Sequence, residues 1–133
     1  MAIRYTFKAY ERLKREQHID TLFRTGKAFS ISPVRFIYLA VPRSAGSSPV
    51  QAGFSVPKKK FRKSVDRHRI RRLMVESWRL NKHILYAALP TDKQLHLFLI
   101  YTGIEMPEIG PIQQSVISAI EKLSKQFAAP ANA

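Results

Sequence analysis

Fifteen consecutive residues, Lys58 to Arg72, hold nine Lys and Arg against a single acid, Asp66. The arginine-rich end of this run also carries aliphatic residues at helical spacing. Stepping 100° per residue from about Ser64 to Asn81 puts Ile70, Leu73, Ser77, Leu80 and Ile84 on one side, with Met74 at its margin. His68, Arg72 and Arg79 fall opposite, Arg67 and Arg71 on one flank, and Arg69 on the other. Such a helix must lay its stripe on an apolar layer and leave its guanidinium face at the surface. The rest of the chain therefore has to supply that layer.

It does so with strands. Lys27 to Ile31, Val34 to Val41 and Val50 to Val56 are rich in β-branched and aromatic residues, and Pro42 to Pro49 is dense in turn formers. These three segments predict an antiparallel meander. His96 to Thr102 predicts a fourth strand, apolar enough to be buried on both faces. Before the strands, Ile19, Leu22 and Phe23 predict a short helix from about Arg15 to Thr25, ended by a Gly26 C-cap. After them, Gly110-Pro111 starts a helix whose stripe is Ile112, Val116, Ile120, Leu123 and Phe127. The expected fold is an α+β two-layer sandwich of order α-β-β-β-α-β-α, with helices packed on a four-stranded sheet. One domain over 11–127 is expected, with a flexible N-terminal arm at 1–10 and a disordered tail at 128–133.

The charge narrows the function. The basic run accounts for more than half of a net +14, which attracts polyanions, and charge this concentrated marks a binding site. Arginine grips phosphate oxygens bidentately and stacks on bases, whereas lysine acts as a point charge. There is no cysteine, which excludes a disulfide framework, a zinc finger and a cysteine nucleophile and suits a cytoplasmic protein. Met1 to Tyr10 lacks a signal-peptide core. The longest apolar stretch, Leu95 to Ile104, is too short to cross a bilayer.

At the basic run the sequence resembles the protein-subunit family of bacterial ribonuclease P. That family has a strand G-[LF]-[ST]-V-x-K-K, a short basic or glycine-containing loop, and a helix R-N-R-I-[KR]-R-L. The matching residues are Gly53 to Val56, Lys58-Lys59, and Arg67-His68-Arg69-Ile70-Arg71-Arg72-Leu73. His68 stands where the family has Asn, and Pro57 precedes the Lys pair. The element order agrees over roughly 11–127. The resemblance implies a ribonucleoprotein in which the RNA subunit, with its Mg2+ ions, removes the 5′ leader of precursor tRNA, while the protein contributes no catalytic residue and no metal ligand. It also implies a left-handed crossover around the basic helix, against the usual right-handed rule.

The RNA-contacting positions that it implies are Lys58, Lys59, Arg67, His68, Arg69, Arg71 and Arg72. Lys60, Arg62 and Lys63 join them on charge. A cleft between the sheet and the first helix is implied to hold the single-stranded leader, with the family's two cleft aromatics falling on Ile19 and Phe23. On the second strand, either Phe36 and Tyr38 or the alternate set Arg35, Ile37 and Leu39 faces that cleft. The sequence does not choose, and the aromatic pair is taken as the expectation because aromatic rings stack on bases.

Rival functions fit less well. A protein-only nuclease needs clustered carboxylates or a His–acid pair. Here Glu105 and Glu108 lie in a proline-bearing loop, His18, His83 and His96 lack ligand spacing, and Asp66 is expected as a helix N-cap. A ribosomal or generic structured-RNA-binding protein is the main alternative, and the combined strand-loop-helix motif argues against it. A DNA reader wants a helix-turn-helix, but a strand precedes this helix. A membrane-surface helix would spend its apolar stripe on lipid rather than on a core.

Overall fold

The computed structural model describes residues 6–127. After a 3-10 turn at Ala9–Glu11 come α1 (Glu16–Thr25), β1 (Lys27–Ile31), β2 (Val34–Pro42), β3 (Val50–Ser55), α2 (Ser64–Ala88), β4 (Lys93–Tyr101) and α3 (Ile109–Phe127). The α-β-β-β-α-β-α order is as expected. The expected tail lies outside the described residues, as do 1–5 of the expected arm.

The strand pairing differs from a meander. The sheet order is β1-β2-β4-β3, with β2 and β4 antiparallel and β3 and β4 parallel. β3 never pairs with β2, because β4 lies between them. The reason is burial. Gln94 through Phe98 and Leu99 are all buried, so β4 has two apolar faces and takes a central position. β3 goes to the edge, and α2 makes the crossover that a parallel pair requires.

α2 and α3 pack together over one sheet face. The main core there holds Val34, Phe36, Tyr38, Ala52, Leu95, Leu97 and Leu99 from the strands, Trp78 and Met74 from α2, and Ile120 from α3. α1 covers part of the opposite face through a smaller cluster of Leu13, Leu22, Ile37 and Phe98. α2 is rotated from its expected orientation. Its buried residues are Ile70, Met74, Ser77, Trp78, Lys82 and Leu85, while Ile84 is exposed. The large Trp78 ring, rather than Leu80 or Ile84, turns toward the core. α2 also continues seven residues past Asn81 and stops at Leu89, where Pro90 follows.

Gly26 does end α1, but with extended backbone (φ −71°, ψ 160°). Its role is close approach: a Cβ would lie 2.5 Å from the Leu22 carbonyl oxygen and 2.9 Å from that of Tyr38. Asp66 is not the N-cap of α2. Lys63 holds that position, and Asp66 sits in the first turn, where a carboxylate favours the helix dipole.

The described part of the expected arm is packed. The Phe7 ring meets Phe54 edge-on at 5.8 Å, and the Arg12 guanidinium lies over it at 4.5 Å. The Thr6 carbonyl accepts a hydrogen bond from Lys82 Nζ. Lys82 pairs with Glu11, and the two are 3% and 4% exposed.

Candidate nucleic-acid interface

β3 ends at Ser55 and the chain enters the lysine-rich loop, which is not free. The Phe61 ring is buried 5.8 Å from Tyr101. Lys60 Nζ donates to the Thr102 carbonyl at 2.9 Å. Arg67 Nη1 reaches back to the carbonyls of Phe61 (2.8 Å) and Arg62 (2.9 Å). Arg67 and Lys60 therefore brace the loop as well as adding charge, which sequence spacing did not reveal. Lys58, Lys59, Arg62, Lys63, His68, Arg69, Arg71 and Arg72 are exposed.

Two grooves flank the first turns of α2. One, of about 630 Å³, lies between loop and helix and is lined by Ser55, Lys58, Ser64, Arg67, His68 and Arg71. The other, of about 550 Å³, is lined by Asp66, His68, Arg69, Arg72, Leu73 and Glu76. Val65 and His68, which line both, form the ridge between them, and the arginines divide between the flanks as the 100° stepping predicts. Farther along, Arg79 pairs with Glu76. The ungrouped charges thus concentrate at the loop and the N-terminal half of α2.

On the other side of the sheet, α1 packs on β2 and β4 along an apolar seam, and the cleft beside it, of about 500 Å³, is lined by Glu16, Gln17, Ile19, Asp20 and Phe23. Ile19, Leu39 and Ile100 pack around Leu22, Ile37 and Phe98. The Phe23 ring, 48% exposed, meets Phe98 edge-on at 5.1 Å. Phe36 and Tyr38 are not in this cleft. They are 1% and 8% exposed on the opposite face, where Phe36 stacks on Phe29 and Tyr38 meets Phe127 and Gln126 of α3. The cleft-facing set of β2 is Arg35, Ile37 and Leu39. Ile37 and Leu39 are as apolar as Phe36 and Tyr38, so the middle of β2 is apolar on both sides and the pattern gave no choice.

Gly53 of the strand motif lies opposite Phe98 in the β3–β4 register. A Cβ there would stand 2.6 Å from the Phe98 ring, so glycine lets the ring lie flat over β3. Gly53→Ala must push Phe98 toward Phe23, and should cost about 1–3 kcal/mol of stability, the usual range for overpacking. A melting curve superimposable on wild type would contradict this.

At the far end of the cleft, His96 is 4% exposed beneath α1, 4.9 Å from the His18 ring. Its Nε2 is 3.1 Å from Gln94 Oε1, and Gln94 Nε2 donates to the Ser48 carbonyl at 2.8 Å. Burial, with a smaller contribution from the charge of His18, pushes the His96 imidazole down to about 4. On the α2 side, burial alone would raise the Glu11 carboxyl. Hydrogen bonds from the Lys8 N–H (2.6 Å), Lys82 and the Tyr86 hydroxyl (2.8 Å), together with the Lys82 charge, hold it below the ordinary value.

A guanidinium-studded helix packed on a mixed four-stranded sheet defines an α+β protein with a polyanion-attracting surface. The chain belongs to the ribonuclease P protein family, whose model, Ribonuclease P, matches residues 7–124. It is thus a component of an endoribonuclease complex of tRNA processing that includes an RNA partner. It is 33% identical over 118 residues to the ribonuclease P protein component of Porphyromonas gingivalis strain ATCC 33277, covering 86% of this chain and 83% of that protein. A shorter match, 52% over 44 residues, is to the ribonuclease P protein component of Chlorobaculum tepidum, covering 33% of this chain and 29% of that one. The fold is similar to the RNase P protein of Staphylococcus aureus (TM-score 0.64, 20% identity, 90% and 99% of the two chains). It is also similar to that of Thermotoga maritima (TM-score 0.63, 19% identity, 84% and 96%). Among the described residues no helix is long and apolar enough to cross a membrane.

Proposed function

We propose that this chain docks onto the catalytic RNA subunit of ribonuclease P through the 58–63 loop and the arginine face of α2, and receives the single-stranded 5′ leader of precursor tRNA in the cleft between α1 and the sheet. The observation that carries this reading is the pair of grooves on either side of His68, lined by Lys58, Arg67 and Arg71 on one flank and Arg69 and Arg72 on the other. The loop-side groove is lined by bases with no acid and fits a row of phosphates, Arg69 and Arg72 extend the charge to the other flank beside Asp66 and Glu76, and arginine forks grip phosphates in pairs. The cleft offers the exposed Phe23 ring beside Phe98, a surface on which an unpaired base can stack.

In this reading the RNA subunit performs the cleavage and the protein raises affinity for substrate and neutralises phosphate charge. Magnesium belongs with the RNA subunit. Among the described residues no group of three or more His, Cys, Asp or Glu is placed to hold a metal ion. The work is cytoplasmic, as the cysteine-free sequence suits.

The test is reconstitution. Protein, catalytic RNA from the same organism and a precursor tRNA are mixed at low Mg2+, and release of the leader is followed. Efficient cleavage by the mixture, with little by either subunit alone, supports the reading. Cleavage by the protein alone, or a mixture no better than RNA alone, ends it. A sharper prediction concerns salt. Arg69→Ala and Arg72→Ala should each reduce the slope of log affinity for the catalytic RNA against log salt by roughly 0.7–0.9, one released counterion per lost phosphate contact. Unchanged slopes would place the RNA elsewhere.

A further inference from the structure

We propose that a second basic concavity, at the opposite end of the sheet from the lysine-rich loop, seats backbone phosphates of the RNA strand that lies in the α1 cleft. This rests on the reading of that cleft as a single-strand site. The concavity, of about 380 Å³, is lined by Arg12, Lys14, Arg15, His18, Gln51 and Gln94, with Ser44 and Ser47 at its edge.

Topology fixes its place. β3 and β4 are parallel. Gln51 and Gln94 stand near the starts of these strands, whereas the lysine-rich loop leaves the end of β3. Gln94 and Ile100 are six residues apart on β4, roughly 20 Å of strand. Between them the α1 face carries Phe98 and Ile37, with Phe23 overhead. The surface therefore reads basic at Arg12, Lys14 and Arg15, aromatic at the exposed Phe23, and basic again at exposed Arg35, opposite Ile100 in the β2–β4 register. A single strand matches this order, since its bases are free to stack in the middle while its phosphates meet charge at both ends. A duplex keeps its bases inside and could not use the exposed Phe23.

The seat is built rather than incidental. A bridge between Arg12 and Ala52, with Leu13 N–H donating to the Ala52 carbonyl at 3.0 Å, fixes the segment beside β3. The Arg12 guanidinium is steadied over the Phe7 ring at 4.5 Å. Gln94 is buried and locked between Ser48 and His96. No acid lines the concavity, and among the described residues Arg12, Lys14 and Arg15 have no ion-pair partner. Arg43, close by in the 43–49 loop, is instead committed to the Ser47 carbonyl at 3.0 Å.

The experiment measures Kd of the assembled ribonucleoprotein for a series of precursor tRNAs with leaders of graded length. Three proteins are compared: wild type, Lys14→Gln/Arg15→Gln, and Phe23→Ala. Both Lys14 and Arg15 are exposed, so the double variant should fold. The expected result is that it binds short-leader substrate as wild type does and loses about tenfold in affinity for long leaders, with a smaller salt slope only there. Arg12→Gln should reproduce the pattern. Equal loss for all leader lengths, or none at any length, overturns the proposal. Phe23→Ala separates the two ideas. If it weakens leader binding while Lys14→Gln/Arg15→Gln does not, the cleft stands and the second seat falls. If neither variant changes any leader, both fall.

Discussion

Lys82→Ala is expected to lower the stability of the protein by about 3–5 kcal/mol, the range for breaking a buried ion pair from one side. Lys82 lies on the core side of α2, where it pairs with Glu11 and donates to the Thr6 carbonyl. Its loss leaves a carboxylate that is 4% exposed with only the Lys8 N–H and the Tyr86 hydroxyl as donors. Burial then dominates, and the Glu11 carboxyl rises from its depressed position. Lys82→Met/Glu11→Leu, which removes both charges and keeps volume, should recover much of the loss. Urea unfolding followed by the fluorescence of Trp78, the single tryptophan, measures all three proteins. A loss below about 1 kcal/mol for Lys82→Ala would show that the pair is not the clip that the geometry describes. The effect should reach function, because the clip holds the segment leading to Arg12, Lys14 and α1. If the proposed leader site is right, a variant that still folds should lose more affinity, relative to wild type, for a leader-bearing precursor tRNA than for the catalytic RNA.

The Lys82–Glu11 pair also shows where sequence reasoning stops. The partners are 71 residues apart, and nothing local in either segment announces the other. There was a trace: Lys82 falls four residues after Trp78 and eight after Met74, on the spine that is buried. A lysine on that spine demands an acid from elsewhere in the chain. The basic face of α2 was legible because nine bases against one acid cannot be a mixed solvated surface. Its exact rotation was not, because Trp78 and Leu80 compete for the core and ring size decides. Strand existence was readable from composition, while strand partnership was not. The nearly continuous apolar run of β4, interrupted only by His96 after Leu95, did carry the needed information, since a strand buried on both faces belongs in the middle of a sheet. Phe36 and Tyr38 were assigned to the wrong face because Ile37 and Leu39 are equally apolar, and only the seat of α1 distinguishes the two sets. Arg67 as a brace for the loop depends on where two carbonyls point, which no residue pattern encodes.

Acid should destabilise this protein well above the range in which carboxylates titrate, and His96 is the cause. In the folded chain its imidazole is held near 4, against an ordinary 6.5. The folded state therefore binds fewer protons than the unfolded one across that interval. The stability that neutral His96 provides is complete above 6.5 and is lost as pH falls toward 4. Between pH 7 and pH 5 this single group should remove about 2 kcal/mol. Glu11 adds to the loss only at lower pH, because its carboxyl is depressed from an ordinary 4.5 and its contribution disappears as pH falls through the folded value. The two groups thus act in successive windows. His96→Leu removes the upper one, so the difference between urea midpoints at pH 7 and pH 5 should shrink in this variant while the acid limb below pH 4.5 remains. An unchanged difference would mean that His96 is not the responsible group. The location predicts a further signature. His96 lies under α1 against His18, on the face away from α2 and α3. Protonation puts charge into the α1–sheet seam first, so amide exchange in α1 should accelerate at pH 5 before that of α3. The cleft proposed for the leader, which shares this seam, should loosen with it.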